Sequence, residues 1–401
     1  MEVKPGYKQT EAGVIPEEWE CAKLLNFLSF ISYGFTNPMP TVQDGVFMVT
    51  AADINDGRIQ LETARKTSES AYRTLLTAKS KPRPNDILLT KDGTLGRLAL
   101  VGNEAICINQ SVAVLRPNEK IDPRFLKLLL ESPRYQKRMI EDAGGSTIKH
   151  IYITIVDKMP IGLPLNKAEQ RSVAEALSDM DALLGGLDRL IAKKRNLKQA
   201  AMQQLLTGQT RLPGFDGEWE TRRLGDVAHI KTGSRNNEDK VEDGEYPFFV
   251  RSEIIERINT YSHDCEAILV PGEGRIGDIF HYVNGRFDVH QRVYAITQFK
   301  PGMSAKFVYF YMAMRFGVWA MQNTVKATVD SLRLPTFQTF EMRVPPTKGE
   351  QVAIAAVLSD VDAELFALEA CRDKTRNLKQ AMMQELLIGK TRLVPAGTAH
   401  A

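Results

Sequence analysis

One 44-residue stretch occurs twice in this chain. Glu169 to Leu212, EQRSVAEALSDMDALLGGLDRLIAKKRNLKQAAMQQLLTGQTRL, returns 181 residues later as Glu350 to Leu393, EQVAIAAVLSDVDAELFALEACRDKTRNLKQAMMQELLIGKTRL. The copies are identical at 25 of the 44 positions, without a gap. Unrelated segments agree at only a few positions, so the chain carries an internal duplication. A repeat of this length restricts the fold to two matched halves before any other feature is read.

Each copy reads as a long amphipathic helix. Val173, Leu177, Met180, Leu184, Leu187 and Ile191 alternate spacings of four and three, and Ile354, Leu358, Val361, Leu365 and Leu368 repeat them. That spacing is a coiled-coil seam. A capping box, Asn166 with Glu169 and Thr347 with Glu350, marks each start. Pro164 and Pro346 stand just outside, and Gly208 and Gly389 sit where a left-handed residue would end a helix. About 40 residues give a rod of roughly 60 Å. Two matched rods in one chain are expected to pack on each other.

The duplication extends into the flanking sequence. Glu18-Trp19-Glu20 and Leu24 reappear as Glu218-Trp219-Glu220 and Leu224, while Gly93, Gly96, Gln110, Thr147 and Pro164 correspond to Gly274, Gly277, Gln291, Thr328 and Pro345. The runs DILLT, SVAVL, AILV and VYAIT, bounded by Gly, Pro, Asn and Asp, read as short strands. Asp122-Pro123 and Ser304 each open a helical stretch, the first of which Pro133 should break or kink. The expected class is α+β, two globular domains each followed by a long helix. The divisions are 1–165, helix 166–209, 210–346, helix 347–393, and a frayed tail 394–401.

Composition narrows the function. A net charge of +3 and a pI near 8.5 permit nucleic-acid binding without demanding it. Cys21, Cys107, Cys265 and Cys371 are far apart and form no CxxC pair, which suits reduced thiols in the cytoplasm. No signal-peptide core or apolar run of membrane-spanning length is present, so no membrane partner is expected. Catalytic motifs are also missing. Gly272-Glu273-Gly274-Arg275-Ile276-Gly277 fits GxGxxG, but DIFHYVNGRFDVHQ follows it, where a dinucleotide fold needs a helix. Asn37-Pro38-Met39-Pro40 departs from the adenine-methyltransferase loop at its last two positions, and the six histidines show no metal-ligand spacing. Neither a catalytic residue nor a metal or cofactor site is expected in this chain.

The polar segments shared by the halves carry more. Ile108-Asn109-Gln110-Ser111 aligns with Val289-His290-Gln291-Arg292, and Ser146-Thr147-Ile148-Lys149-His150 with Ala327-Thr328-Val329-Asp330-Ser331. These residues either satisfy backbone groups at turns or reach base edges and phosphates. On the second reading the DNA-contacting candidates are Lys91, Thr94, Arg97, Gln110, Ser146, Thr147, Lys149 and His150 in the first half. In the second they are Arg251, Arg275, His290, Gln291, Arg292, Thr328, Ser331 and Arg333. Neighbours differ between copies, as two similar domains reading different sequences require.

On the helices, Arg195-Asn196-Leu197-Lys198-Gln199-Ala200 is identical to Arg376-Asn377-Leu378-Lys379-Gln380-Ala381, polar residues included. A packing seam alone would keep the leucines. Either this is a relic of duplication or the stretch, with Leu205 and Leu386, is a docking surface used twice.

Two globular domains, each followed by a helix bearing EQ…LSD.D…RNLKQA.MQ.LL.G.TRL, resemble the specificity subunit of type I restriction-modification systems over essentially the whole chain. The resemblance implies two pseudo-symmetric target recognition domains, each reading half of a bipartite, asymmetric site in double-stranded DNA. It implies antiparallel helices that set the half-site spacing and dock two methyltransferase subunits through the stretches from Arg195 and Arg376. Restriction subunits can join, and S-adenosylmethionine, for N6-adenine methylation, is expected in the methyltransferase and not here. The rival readings are an enzyme using the GxGxxG segment and a coiled-coil adaptor without DNA readout.

Overall fold

The computed structural model describes residues 4–144, 149–323 and 331–393; Ser146, Thr147, Thr328 and the tail lie outside them. The two long helices are Lys167–Leu205 and Lys348–Leu386, each of 39 residues. The chain divides into two units, and the division cuts both helices: up to Gly186 and from Arg372 onward, against Leu187 to Cys371. Each unit therefore holds one globular domain and a half of each long helix.

Within each unit the half-helices run antiparallel. In the first, Asp181 pairs with Lys379 and Glu169 with Arg392; in the second, Lys198 pairs with Asp362 and Arg211 with Glu350. The seam residues do not pack only on one another. Val173, Ala174 and Leu177 join Met383, Leu386 and Leu387 in the core of the first domain with Leu126 and Leu129. Ile354, Ala355 and Leu358 join Leu205 and Leu206 in the second core with Phe307 and Tyr311.

The helix ends explain the polar letters of the repeat. Asn166 and Thr347 cap as expected, accepting from the Ala168 and Glu350 amides at 2.9 and 3.3 Å. The glutamates have another task. Glu169 and Glu350, 1% and 0% exposed, each receive a forked guanidinium from the segment following the opposite helix: Arg392 Nη2 is 2.7 Å from Glu169, and Arg211 reaches Glu350 at 2.5 and 2.7 Å. Gln170, also buried, accepts from the Asp122 amide and donates to the Lys120 and Pro164 carbonyls. Gln351 does the same with Ser304, Gly302 and Pro345. Gly208 and Gly389, at φ +72° and +74°, turn the chain after each helix. Gly208 lies against Trp219 and Gly389 against Trp19 and Pro16; a Cβ at Gly389 would fall 2.5 Å from Pro16. The motif EQ…G.TRL is thus a clasp, made once in each unit.

The first domain is built from β1 (Trp19–Lys23), β2 (Leu28–Tyr33), β3 (Val46–Val49), β4 (Arg65–Thr67), β5 (Ile87–Thr90), β6 (Leu98–Leu100), β7 (Ile106–Ile108), β8 (Val112–Pro117) and β9 (Pro160–Pro164). One sheet has the order β6-β5-β8-β2, another β7-β3-β4 with β7 and β3 parallel, and β9 pairs with β1. Helices Pro123–Glu131 and Pro133–Glu141 meet at Ser132, the break Pro133 imposes. The second domain contains β10 (Glu220–Arg223), β11 (His229–Thr232), β12 (Tyr246–Phe249), β13 (Glu256–Ile258), β14 (His263–Pro271), β15 (His281–Val289), β16 (Val293–Thr297) and β17 (Glu341–Val344), with helix Ala305–Gln322. Its sheet runs β11-β16-β14-β15-β12-β13, the same order with one long strand, β15, in place of β6 and β7. Gly93 and Gly96 between β5 and β6, and Gly274 and Gly277 between β14 and β15, all have positive φ. The GxGxxG segment is a turn between antiparallel strands.

Candidate nucleic-acid interface

The turn leaving β7 and its counterpart leaving β15 are constructed alike from different residues. Asn109 Oδ1 accepts from the Ser111 amide at 3.1 Å and from the Ser111 hydroxyl at 2.6 Å. In the second domain His290 Nδ1 accepts from the Arg292 amide at 3.0 Å. Burial, with the charges of Arg251 and Arg292, holds the His290 pKa below its ordinary value, so the ring stays neutral and able to accept. The middle residue is glutamine in both. Its amide donates to Phe35 in one unit and Arg235 in the other, both at 2.8 Å, and its side chain is exposed. Gln110 and Gln291 are thus held at a turn by their backbones, which leaves the side-chain amides at the surface.

A glycine makes room for each turn. A Cβ on Gly34 would fall 1.8 Å from the Ile108 carbonyl oxygen, and one on Gly233 would fall 2.0 Å from that of Val289. Backbone cannot yield as a side-chain tip can. Gly233→Ala is expected to displace the Arg235–Arg292 turn and to lower the stability of the second unit by about 1–3 kcal/mol, which urea unfolding measures.

Around Gln110 the structure gathers several of the candidates. Lys91 donates to Asp92 at 2.8 Å, and His150 Nδ1 lies 2.5 Å from the other carboxylate oxygen. Burial alone would raise the Asp92 pKa, but these hydrogen bonds lower it, so the carboxylate stays charged. The Lys91 ammonium also lies 5.6 Å from the Tyr33 ring, as does that of Lys79. Thr94 and Lys149 are exposed. Arg97 is turned inward, donating to the Ile54 carbonyl at 3.1 Å. Tyr33, Lys79 and Asp92 join the group without having been marked by the repeat.

In the second domain Glu273 lies within 3.4 Å of Arg251 and 3.3 Å of Arg292. Arg275 pairs with Glu253 and Asp278, Ser331 bridges to Glu273 through the backbone, and Arg333 is exposed. Asn236, whose side chain accepts from Gln291 Nε2, and Arg235 beside it escaped the sequence reading. The glycine signal could have found them, since Gly34 and Gly233 each follow a strand by one residue.

The helix stretch divides by orientation. Lys198 and Lys379 pair with Asp362 and Asp181 at 2.5 and 2.6 Å, so their identity has a packing cause. Arg195 reaches Glu369 at 2.5 Å and Arg376 reaches Asp373 at 3.1 Å. Leu205 and Leu386 are buried in the domain cores. Leu197 and Leu378, both 53% exposed, keep Asn196, Gln199, Asn377 and Gln380 as exposed neighbours.

Among the described residues no cluster of His, Cys, Asp and Glu could hold a metal ion, and no helix is long and apolar enough to cross a membrane. The family model of the type I restriction modification DNA specificity domain matches residues 41–193 and 216–376. The EcoBI specificity subunit of Escherichia coli is 28% identical over 204 residues, 49% of this chain and 43% of that one, so the match spans less than half of that relative. A putative type I restriction enzyme specificity subunit, MjaX of Methanocaldococcus jannaschii, is 23% identical over 96% of this chain and 97% of its own. The crystal structure of a type I restriction-modification S subunit from M. genitalium superposes with a TM-score of 0.68 at 16% identity, covering 96% of this chain and 98% of that one. Matched twice by the family model and in fold across nearly its full length, the chain belongs to the type I restriction-modification DNA specificity family.

Proposed function

We propose that this chain is the non-catalytic specificity subunit of a cytoplasmic type I restriction-modification complex. Each domain reads one half of a bipartite, asymmetric site in double-stranded DNA. The long helices fix the spacing and dock two methyltransferase subunits, which hold S-adenosylmethionine, and restriction subunits complete the endonuclease. The observation that carries this reading is the glutamine-tipped turn, built twice on one sheet topology with different neighbours each time. Glutamine and arginine are base-reading side chains, and lysines over an exposed tyrosine suit a phosphate backbone. Leu197 and Leu378, exposed and amide-flanked on matching positions of the two helices, support a surface offered twice to the same partner.

The spacing role has a direct test. A heptad inserted into each long helix adds roughly 10 Å, about three base pairs. Methylation assays on sites of varied spacer length should show the optimum lengthened by that amount. An unchanged optimum contradicts the role of the helices as a ruler.

A further inference from the structure

Asp288 is a buried carboxylate in a sheet, 0% exposed, at the end of β15. It accepts from the Thr260 hydroxyl at 2.8 Å, the Ser262 hydroxyl at 2.7 Å, the Val289 amide at 3.0 Å and Arg235 Nε at 3.1 Å. A charge in that place is costly unless it serves something. The first domain shows that the fold does not need it: at the aligned position stands Cys107, equally buried, on the strand that pairs in parallel with β3 just as β15 pairs with β12. Arg235 changes together with it. The backbone place of Arg235, bridged to His290 and accepting from the Gln291 amide, belongs in the first domain to Phe35, which packs in one apolar cluster with Cys107 and Met48. One domain therefore carries arginine and aspartate where the other carries phenylalanine and cysteine.

The arrangement fixes what the arginine can do. Asp288 engages Nε, the nitrogen nearest the chain, and the two terminal nitrogens remain to act as a fork. A fork of that shape matches guanine O6 and N7 in the major groove, the commonest specific arginine contact. A phosphate clamp needs no such orientation, and a buried carboxylate beside it would oppose the anion it is meant to hold. The geometry points to Arg235 as the guanine-reading residue of the second domain, with Asp288 as its positioning residue and no counterpart in the first domain. This rests on the proposed role of the domains in reading DNA.

The test uses the complete modification complex, this chain with its methyltransferase, on duplex libraries randomised across both half-sites, with methylated adenines identified by sequencing. The native complex should require a G·C pair at one position of the second half-site. Arg235→Ala should relax that position alone, by about 5- to 150-fold. Arg235→Lys should fail to restore it, and Asp288→Asn should relax the same position with the first half-site unchanged. Arg235→Ala leaves Asp288 three other donors, so the domain is expected to stay folded, which thermal melting checks. A uniform loss across all sequences with a shallower salt dependence, full rescue by Arg235→Lys, or no G·C requirement in the second half-site would overturn the assignment and leave the domain's role in reading DNA standing. Methylation by the native complex without two-part sequence dependence would remove that role itself.

Discussion

Arg392→Ala is expected to destabilise the first unit by about 3–5 kcal/mol, the range for removing one partner of a buried ion pair. The cost comes less from the lost attraction than from what is left behind. Glu169 is 1% exposed, and without the guanidinium its carboxylate keeps neither water nor a countercharge. The pair joins residues 223 apart in sequence, so it also holds the segment after the second helix against Trp19. Its Glu169 hydrogen bond, outweighing burial, holds the Arg392 pKa above its ordinary value, and the guanidinium stays charged at any pH the fold survives. Urea unfolding should show the loss as a lowered midpoint. Adding Glu169→Gln to Arg392→Ala should recover part of it, because the stranded charge is gone. A single variant within 1 kcal/mol of the native protein would show that the clasp contributes little. The matching pair in the second unit, Arg211 with Glu350, gives the same expectation there.

Exchanging residues 210–346 for the corresponding domain of another family member is expected to replace one half of the recognised sequence completely and leave the other half and the spacer as they were. The physical ground is that the domain meets the helices through residues both copies share. Gln351 bonds the Ser304, Gly302 and Pro345 backbones, Arg211 holds Glu350, and Gly208 seats Trp219. Each of these has its counterpart in the first unit. A foreign domain with the same entry tryptophan can use the same attachments, while its turn after the long strand carries different readers.

Much of this architecture is legible before any coordinate is seen. The four-three spacing from Val173 onward, the caps at Asn166 and Thr347 and the interruption at Pro133 are local signals, and local signals survive into the fold. The clasps are not local. Glu169 reads as half of a capping box because its neighbour in sequence suggests that partner, whereas its partner in space follows the other helix. Lys198 and Lys379 read as docking residues for a related reason: identity between copies marks any contact made twice, including one made inward to Asp362 and Asp181. Arg235 is hidden for another reason. The 200-residue offset at Trp19 also sets Arg235 against Phe35, but the two residues share no chemistry, so no repeated letter marks the position. Its bond to Asp288 joins residues 53 apart in sequence, a pairing that only the fold brings together.

The claim at the centre of the account is that one chain reads two separate DNA sequences with two copies of one domain. Sequencing the methylated adenines in DNA exposed to this chain and its methyltransferase, before and after the exchange of residues 210–346, tests it most directly. The account expects a two-part target with a fixed gap, of which the exchange rewrites one part alone. A single uninterrupted target, or an exchange that alters both parts together, would contradict it.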